Sequence, residues 1–120
     1  MIAVINTKAA DSVKWVRGSD TLYQLILLDD DGTLLDASAV STTVTVRIYL
    51  EPLKTGSGIT ISASQVGDGS DGEHTFLIAN NQASLVDLRV GYAYAVDVEL
   101  DLGGAGDIVK QTNQIQMVIS

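Results

Sequence analysis

Apolar and polar residues alternate with a period of two along several stretches of the chain, and helical periodicity is weak. That pattern predicts strands. The clearest run is Tyr92 to Leu102. Tyr92, Tyr94, Val96, Val98, Leu100 and Leu102 are large and apolar, and between them stand Ala93, Ala95, Asp97, Glu99 and Asp101. One face is built for a core; the other is small, then acidic. Thr43 to Leu50 alternates as cleanly, with Val44, Val46, Ile48 and Leu50 inward and Thr45, Arg47 and Tyr49 outward. Thr21 to Leu28 is apolar on both faces, as a central or doubly covered strand would be. Val13 to Arg17 around Trp15, Ile59 to Ala63, and Glu73 to Ala79 add three more strands. Ile108 to Ile119 returns as the last, with Val109, Ile115, Met117 and Ile119 on one parity.

Turn chemistry separates these runs. Asp29-Asp30-Asp31-Gly32 ends the second strand, because Asp accepts local backbone bonds and Gly takes positive φ. Gly67 to Gly72 is a polar loop. Asn80 to Val86 breaks the alternation and reads as a corner with one capped helical turn. Gly103-Gly104-Ala105-Gly106 reverses the chain. Seven to eight strands, each apolar on one side, predict an all-β fold: a single antiparallel sandwich of two sheets packed face to face. Leu88, Val90, Gly91, Tyr92, Tyr94 and Val96 resemble the corner of fibronectin-type and immunoglobulin-like sandwiches. There a leucine plugs the core and a tyrosine bonds back to the corner backbone. Leu88, Gly91 and Tyr94 would form that corner here, with Tyr92 the next choice for the tyrosine.

Composition narrows the chemistry. The 120 residues fit one domain. There is no cysteine, hence no disulfide framework and no thiolate chemistry. The net charge is −8. Lys8, Lys14 and Arg17 against Asp11 make the first 19 residues mildly basic, so the acidic excess lies in the rest. An acidic body repels phosphate backbones, which argues against a nucleic-acid partner. No run is long or apolar enough to span a membrane, and Met1 to Ile5 is too short for a signal peptide's apolar region.

The candidates for chemistry are few. His74 is the sole histidine and shares parity with Phe76 and Ile78, a packing position rather than a catalytic one. No Ser or Thr has a histidine–acid pair at a recognisable spacing. Two loops set acids close together, Asp29 to Gly32 and Asp68 to Glu73. Neither supplies the twelve-residue frame of a calcium-binding EF-hand loop, and both read as solvated turns, with calcium at residues 68–73 left open. Gly103 to Gly106 lacks the lysine of a phosphate loop. No catalytic residue, metal, cofactor or small-molecule substrate is therefore expected. Trp15, between Lys14 and Arg17, is either a core plug or an interface anchor. Arg47 and Tyr49 form a second interface candidate. Residues 1–12 form an N-terminal arm or edge strand ahead of a sandwich domain over 13–120. Ile2, Val4 and Ile5, with Lys8 beyond them, are expected to add to a neighbour's sheet edge or to pack as the domain's own first strand.

One segment carries a family likeness. Val16 to Ile48 opens a strand at Gly18, Asp20 and Thr21, turns at Asp29, Asp31 and Gly32, steps through Asp36 and Ser38, and enters a strand at Val44, Val46 and Ile48. This order resembles the N-terminal immunoglobulin-like domain of phage baseplate upper proteins and related tail and fibre-attachment modules. Gly72, Phe76, Leu85, Gly91, Tyr94, Val96 and Val98 fall where such domains carry their late strands, so the likeness covers about residues 13–119. Ser19 splits the usual Gly-Asp contact, and a stand-alone module without a receptor-binding extension is expected. The resemblance implies a non-enzymatic structural protein of a phage particle, in tail, baseplate, neck or fibre attachment. It would be assembled in the host cytoplasm, with other virion proteins and copies of itself as partners. A capsid decoration protein is the nearest alternative. A carbohydrate-binding or adhesin module is the alternative of another class.

Overall fold

In the computed structural model the chain forms an immunoglobulin-like β-sandwich. The structure describes residues 1–5, 12–38, 42–49, 58–80, 90–91, 93–103, 108–110 and 115–119. Among the described residues ten strands run in the order β1 (Ile2–Ile5), β2 (Ser12–Trp15), β3 (Thr21–Leu28), β4 (Thr43–Ile48), β5 (Ile59–Ser62), β6 (Ser64–Gln65), β7 (Glu73–Ile78), β8 (Ala93–Asp101), β9 (Ile108–Lys110) and β10 (Ile115–Ile119). One sheet has the order β1-β3-β7-β6, and the other β2-β10-β8-β4-β5, with β9 also paired to β8. No helix long and apolar enough to cross a membrane occurs among the described residues.

The period-two pattern sorts the chain between core and surface. From the first sheet Ala3, Ile5, Tyr23, Leu25, Leu27, Phe76 and Ile78 point inward and are buried. From the second, Val13, Trp15, Val44, Val46, Ile48, Val96, Val98, Leu100, Met117 and Ile119 meet them in one continuous cluster. Tyr23 stacks on Phe76 with ring centroids 5.0 Å apart and planes 17° apart. The Tyr23 hydroxyl crosses the sandwich and donates to the Lys14 carbonyl oxygen at 2.6 Å.

Several expectations are corrected. The strand count exceeds seven to eight because the N-terminal segment and the last strand are each split in two and β6 adds a further short strand. The N-terminal segment supplies β1 to one sheet, antiparallel to β3, and β2 to the other, parallel to β10. The pairing is thus not wholly antiparallel. A boundary at residue 12/13 falls inside β2, and Met1, Ala3 and Ile5 belong to the common core. Ile2–Ile5 is therefore an edge strand on the chain's own β3, not a projecting arm. The last strand is also split: β8 pairs with β9 at Glu99↔Lys110 and with β10 at Val96↔Ile115. Two residues separate the partners on β8 and four on the other side, so the register shifts by two. Leu102 is exposed rather than inward. The expected helical turn within Asn80 to Val86 lies outside the described residues beyond Asn80.

The turns use the glycines as the pattern requires. In the Val16–Ser19 turn the Ser19 N–H donates to the Val16 carbonyl at 3.1 Å, with Gly18 at φ +81°. Gly72, at φ +70°, has no room for a side chain. A Cβ there would come within 2.5 Å of the Leu27 carbonyl oxygen and 2.8 Å of Leu35's. The backbone needs that closeness, because the Leu27 N–H donates to the Gly72 carbonyl at 3.0 Å.

Candidate functional site

Three places gather the side chains that the sequence singles out. The first is the outer face of the β1-β3-β7-β6 sheet. Cross-strand register sets Ile2 against Leu28, Val4 against Ile26, and Leu22 against Leu77. All six point away from the core. Leu22 is 65% exposed and Leu77 49%, and the other four are half-buried. The rows between hold Gln24, Thr75 and Ser64, and Glu73 is the one charged side chain among these paired positions. Of the predicted interface residues, Ile2 and Val4 belong to this face. Ile5 is on the opposite side, 3% exposed, and Lys8 lies outside the described residues.

The second is the outer face of β4 and β8. Arg47 and Tyr49 alternate outward as expected, but Tyr49 is only 6% exposed. The parity gives the side of the sheet; the neighbours decide the burial. Arg47 Nε donates to Glu99 Oε1 at 3.1 Å, and Arg47 sits directly opposite Asp97, itself buried. Burial raises the Tyr49 hydroxyl above its usual phenol range, and a hydrogen bond with Asp97 raises it further. The Glu99 hydrogen bond raises the Arg47 guanidinium. This is a closed network, with its cation and phenol already engaged, rather than an open docking patch. Trp15 is likewise no anchor: it is fully buried, and its Nε1 donates to the Ser19 carbonyl at 3.2 Å.

The third is a cavity of about 250 Å³ where the chain crosses from β5 in one sheet to β6 in the other. Thr42, Thr43, Thr45, Ser62, Gln65 and His74 line it with Ala37, Val44 and Ala63. The crossover is held by the Ala63 N–H donating to the Val44 carbonyl at 2.9 Å. A strap over residues 34–38 closes one side, where Gln65 Nε2 donates to the Ala37 carbonyl at 3.2 Å. His74 is buried, and its Nδ1 lies 3.0 Å from the Gly72 carbonyl oxygen. A carbonyl oxygen can only accept, so Nδ1 is the donor in that contact. The Thr42 hydroxyl is buried with no hydrogen-bond partner. Among the described residues the lining is rich in hydroxyls and holds no Lys, Arg, Cys or carboxylate.

The remaining predicted sites divide. Asp68 Oδ1 accepts from Ser70 N at 3.0 Å and from Ser70 Oγ at 2.7 Å. Asp71 accepts from Glu73 N at 3.2 Å. Hydrogen bonds from Ser70 hold the Asp68 carboxyl below its usual range. These carboxylates cap their own turn. Among the described residues no group of three or more His, Cys, Asp or Glu is placed to hold a metal ion. At the corner, Gly91 takes φ +85° and its N–H donates to the Ile119 carbonyl at 2.7 Å. Tyr94 is half-buried against the core, and Leu88 and Tyr92 lie outside the described residues. Sequence reasoning missed Leu22, Leu77, Ile26 and Leu28 as a face, although the two-sided apolar pattern of β3 was its signal. It missed Thr42 and Gln65 entirely, since nothing in their local sequence marks them.

No family model matches the chain, and no curated protein matches it. Among solved structures it is similar to the crystal structure of the Lin-41 filamin domain, at 16% identity and a TM-score of 0.47, over 98% of this chain and 91% of that one.

Proposed function

We propose that this chain is a non-enzymatic structural module that works through subunit–subunit contacts, and that its setting is a phage particle. The observation that carries the reading is the apolar outer face of the β1-β3-β7-β6 sheet. A sandwich needs only its inner faces apolar, yet here five of β1's and β3's outward positions are Ile, Val or Leu, and Leu77 on β7 extends them. Aliphatic side chains displayed this way lose free energy by being covered. The phage setting is supported by the order of turns and strands from Val16 to Ile48. Antibody labelling of intact particles from the source, viewed by electron microscopy, tests it. Label at tail, baseplate, neck or fibres supports the attachment reading. Label over the shell makes the protein a decoration protein. No label on any particle removes the setting.

The cavity favours a second reading, a carbohydrate-binding module. The unpartnered Thr42 hydroxyl and the His74 imidazole suit a small hydroxylated ligand, although among the described residues no Trp, Tyr or Phe lines the cavity for stacking. Trp15 is too deeply buried to report on it. The test is a panel of monosaccharides titrated against backbone amide shifts. Shifts clustered at residues 42–45, 62–65 and 74 support this reading; none at millimolar sugar removes it.

A further inference from the structure

Resting on the reading of the chain as a structural module, we infer that the outer face of the β1-β3-β7-β6 sheet is covered by the same face of a second copy. Cross-strand register arranges it in four rows: Leu22–Leu77, then Gln24–Thr75–Ser64, then Val4–Ile26–Glu73, then Ile2–Leu28. Apolar side chains thus form two clusters, one at each end of the strands, with a mostly neutral band between. A twofold axis that crosses the strands between the Gln24 and Ile26 rows sets Leu22 of one copy over Leu28 of the other, both on β3. It sets Glu73 over the partner copy's Thr75 rather than over a second carboxylate. The same surface serves both copies in this orientation, as an isologous contact requires.

Charge selects the partner. Each copy carries a net charge of −8, so two copies repel wherever their acidic surfaces meet. Among its paired positions this face carries a single carboxylate, so copies meet here at the least electrostatic cost. A basic partner would be drawn instead to the acidic remainder of the molecule, and this face would contribute nothing to recognising it. Area sets the strength. Four rows spaced about 7 Å apart, across three strands about 4.8 Å apart, cover about 400 Å² per copy. The pair then covers about 800 Å², below the roughly 1,200 Å² at which stable specific contacts begin, which makes the dimer weak and transient on its own. An assembly holding many copies adds the avidity that a single contact lacks.

Sedimentation velocity and light scattering across about 10 μM to 1 mM test this on the intact protein. The expected result is a monomer–dimer equilibrium with a dissociation constant in the range of tens to hundreds of micromolar. Leu22→Lys and Leu77→Lys each weaken it at least about tenfold with the melting temperature unchanged, because both side chains are already exposed. Leu77→Gln removes apolar area without adding charge and weakens it as well. A protein that stays monomeric at about 1 mM overturns the inference, and so does a dimer indifferent to all three substitutions. Particle labelling is independent of this result. A dimer with unlabelled particles would sink the phage setting alone, and a monomer on labelled particles would sink the self-contact alone.

Discussion

The Tyr23 hydroxyl reaches from β3 across the sandwich and donates to the carbonyl oxygen of Lys14 on β2 at 2.6 Å. It joins the two sheets at a point where the rest of the interior is hydrocarbon, and its ring is fixed by the stack on Phe76. Tyr23→Phe keeps the ring and removes the donor, leaving a partly buried carbonyl without its partner. The expected cost is about 1 kcal/mol, or about 4 °C in melting temperature for a chain of this length. Thermal unfolding followed by circular dichroism checks it. No loss of stability would mean that the bond contributes nothing.

The same hydroxyl makes the fold sensitive to alkali. Burial pushes the Tyr23 pKa up to about 12 from its ordinary 10.0, against a smaller lowering effect of Thr21. The folded state therefore holds this proton more tightly than the unfolded chain does. Its contribution is complete below pH 10 and is lost as pH rises from there through 12. Urea midpoints measured at intervals from pH 9 to 12 should fall, and Tyr23→Phe should flatten the fall. The remaining slope would belong to Tyr49, which burial also raises.

At the acidic end the turns respond instead. Hydrogen bonds from Thr33 lower Asp31, those from Ser38 lower Asp36, and those from Ser70 lower Asp68. Stability from these carboxylates is present above the ordinary pKa of 3.8 and is lost as pH falls below it. Side-chain carbon shifts recorded between pH 2 and 5 should place all three titrations below 3.8. The substitutions Thr33→Val and Ser70→Ala should each move the neighbouring aspartate back up.

Gly72 tests the backbone. At φ +70°, with two backbone carbonyl oxygens crowding its Cβ position, Gly72→Ala combines left-handed strain with a clash that no side-chain rotamer relieves. A cost of roughly 2 kcal/mol or more follows, read as a shift in urea midpoint. Gly18, also at positive φ but with open space around it, should cost about 1 kcal/mol as Gly18→Ala, from the conformation alone.

Arg47 lies opposite Asp97 and bonds Glu99. Removing it in Arg47→Ala leaves two carboxylates on one face of β8 without their cation, and about 1–2 kcal/mol should be lost. Glu99→Gln in the same chain should restore part of the loss. A double-mutant cycle reads that coupling directly.

Strand positions and inner faces were legible because alternation reports them locally: Val44, Val46 and Ile48 read inward and are inward. What the alternation could not report is what lies beyond the strand. Tyr49 and Asp97 read as wet, but each is covered by its neighbour across the β4–β8 pair. Leu22 read as doubly covered because β3 is apolar on both sides, but among the described residues only its inner side is covered. The splitting of the N-terminal segment between sheets, and the register shift between β9 and β10, depend on pairings between distant residues. The candidate sites fared similarly. Ile2 and Val4 were visible as unspent apolar residues, but the cavity at Thr42 exists only because two sheets part where β5 crosses to β6.

The parallel pairing of Met117 with Val13 joins positions roughly a hundred residues apart, the kind of long-range contact that slows folding. Strand β2 has no ladder of its own until β10 has been synthesised, whereas β1 finds β3 within a short stretch of chain. During translation β2 thus waits without its ladder until β10 emerges from the ribosome and pairs with it. A ribosome-arrested chain that ends before Ile115 should remain protease-sensitive at β2, and release of β10 should protect it.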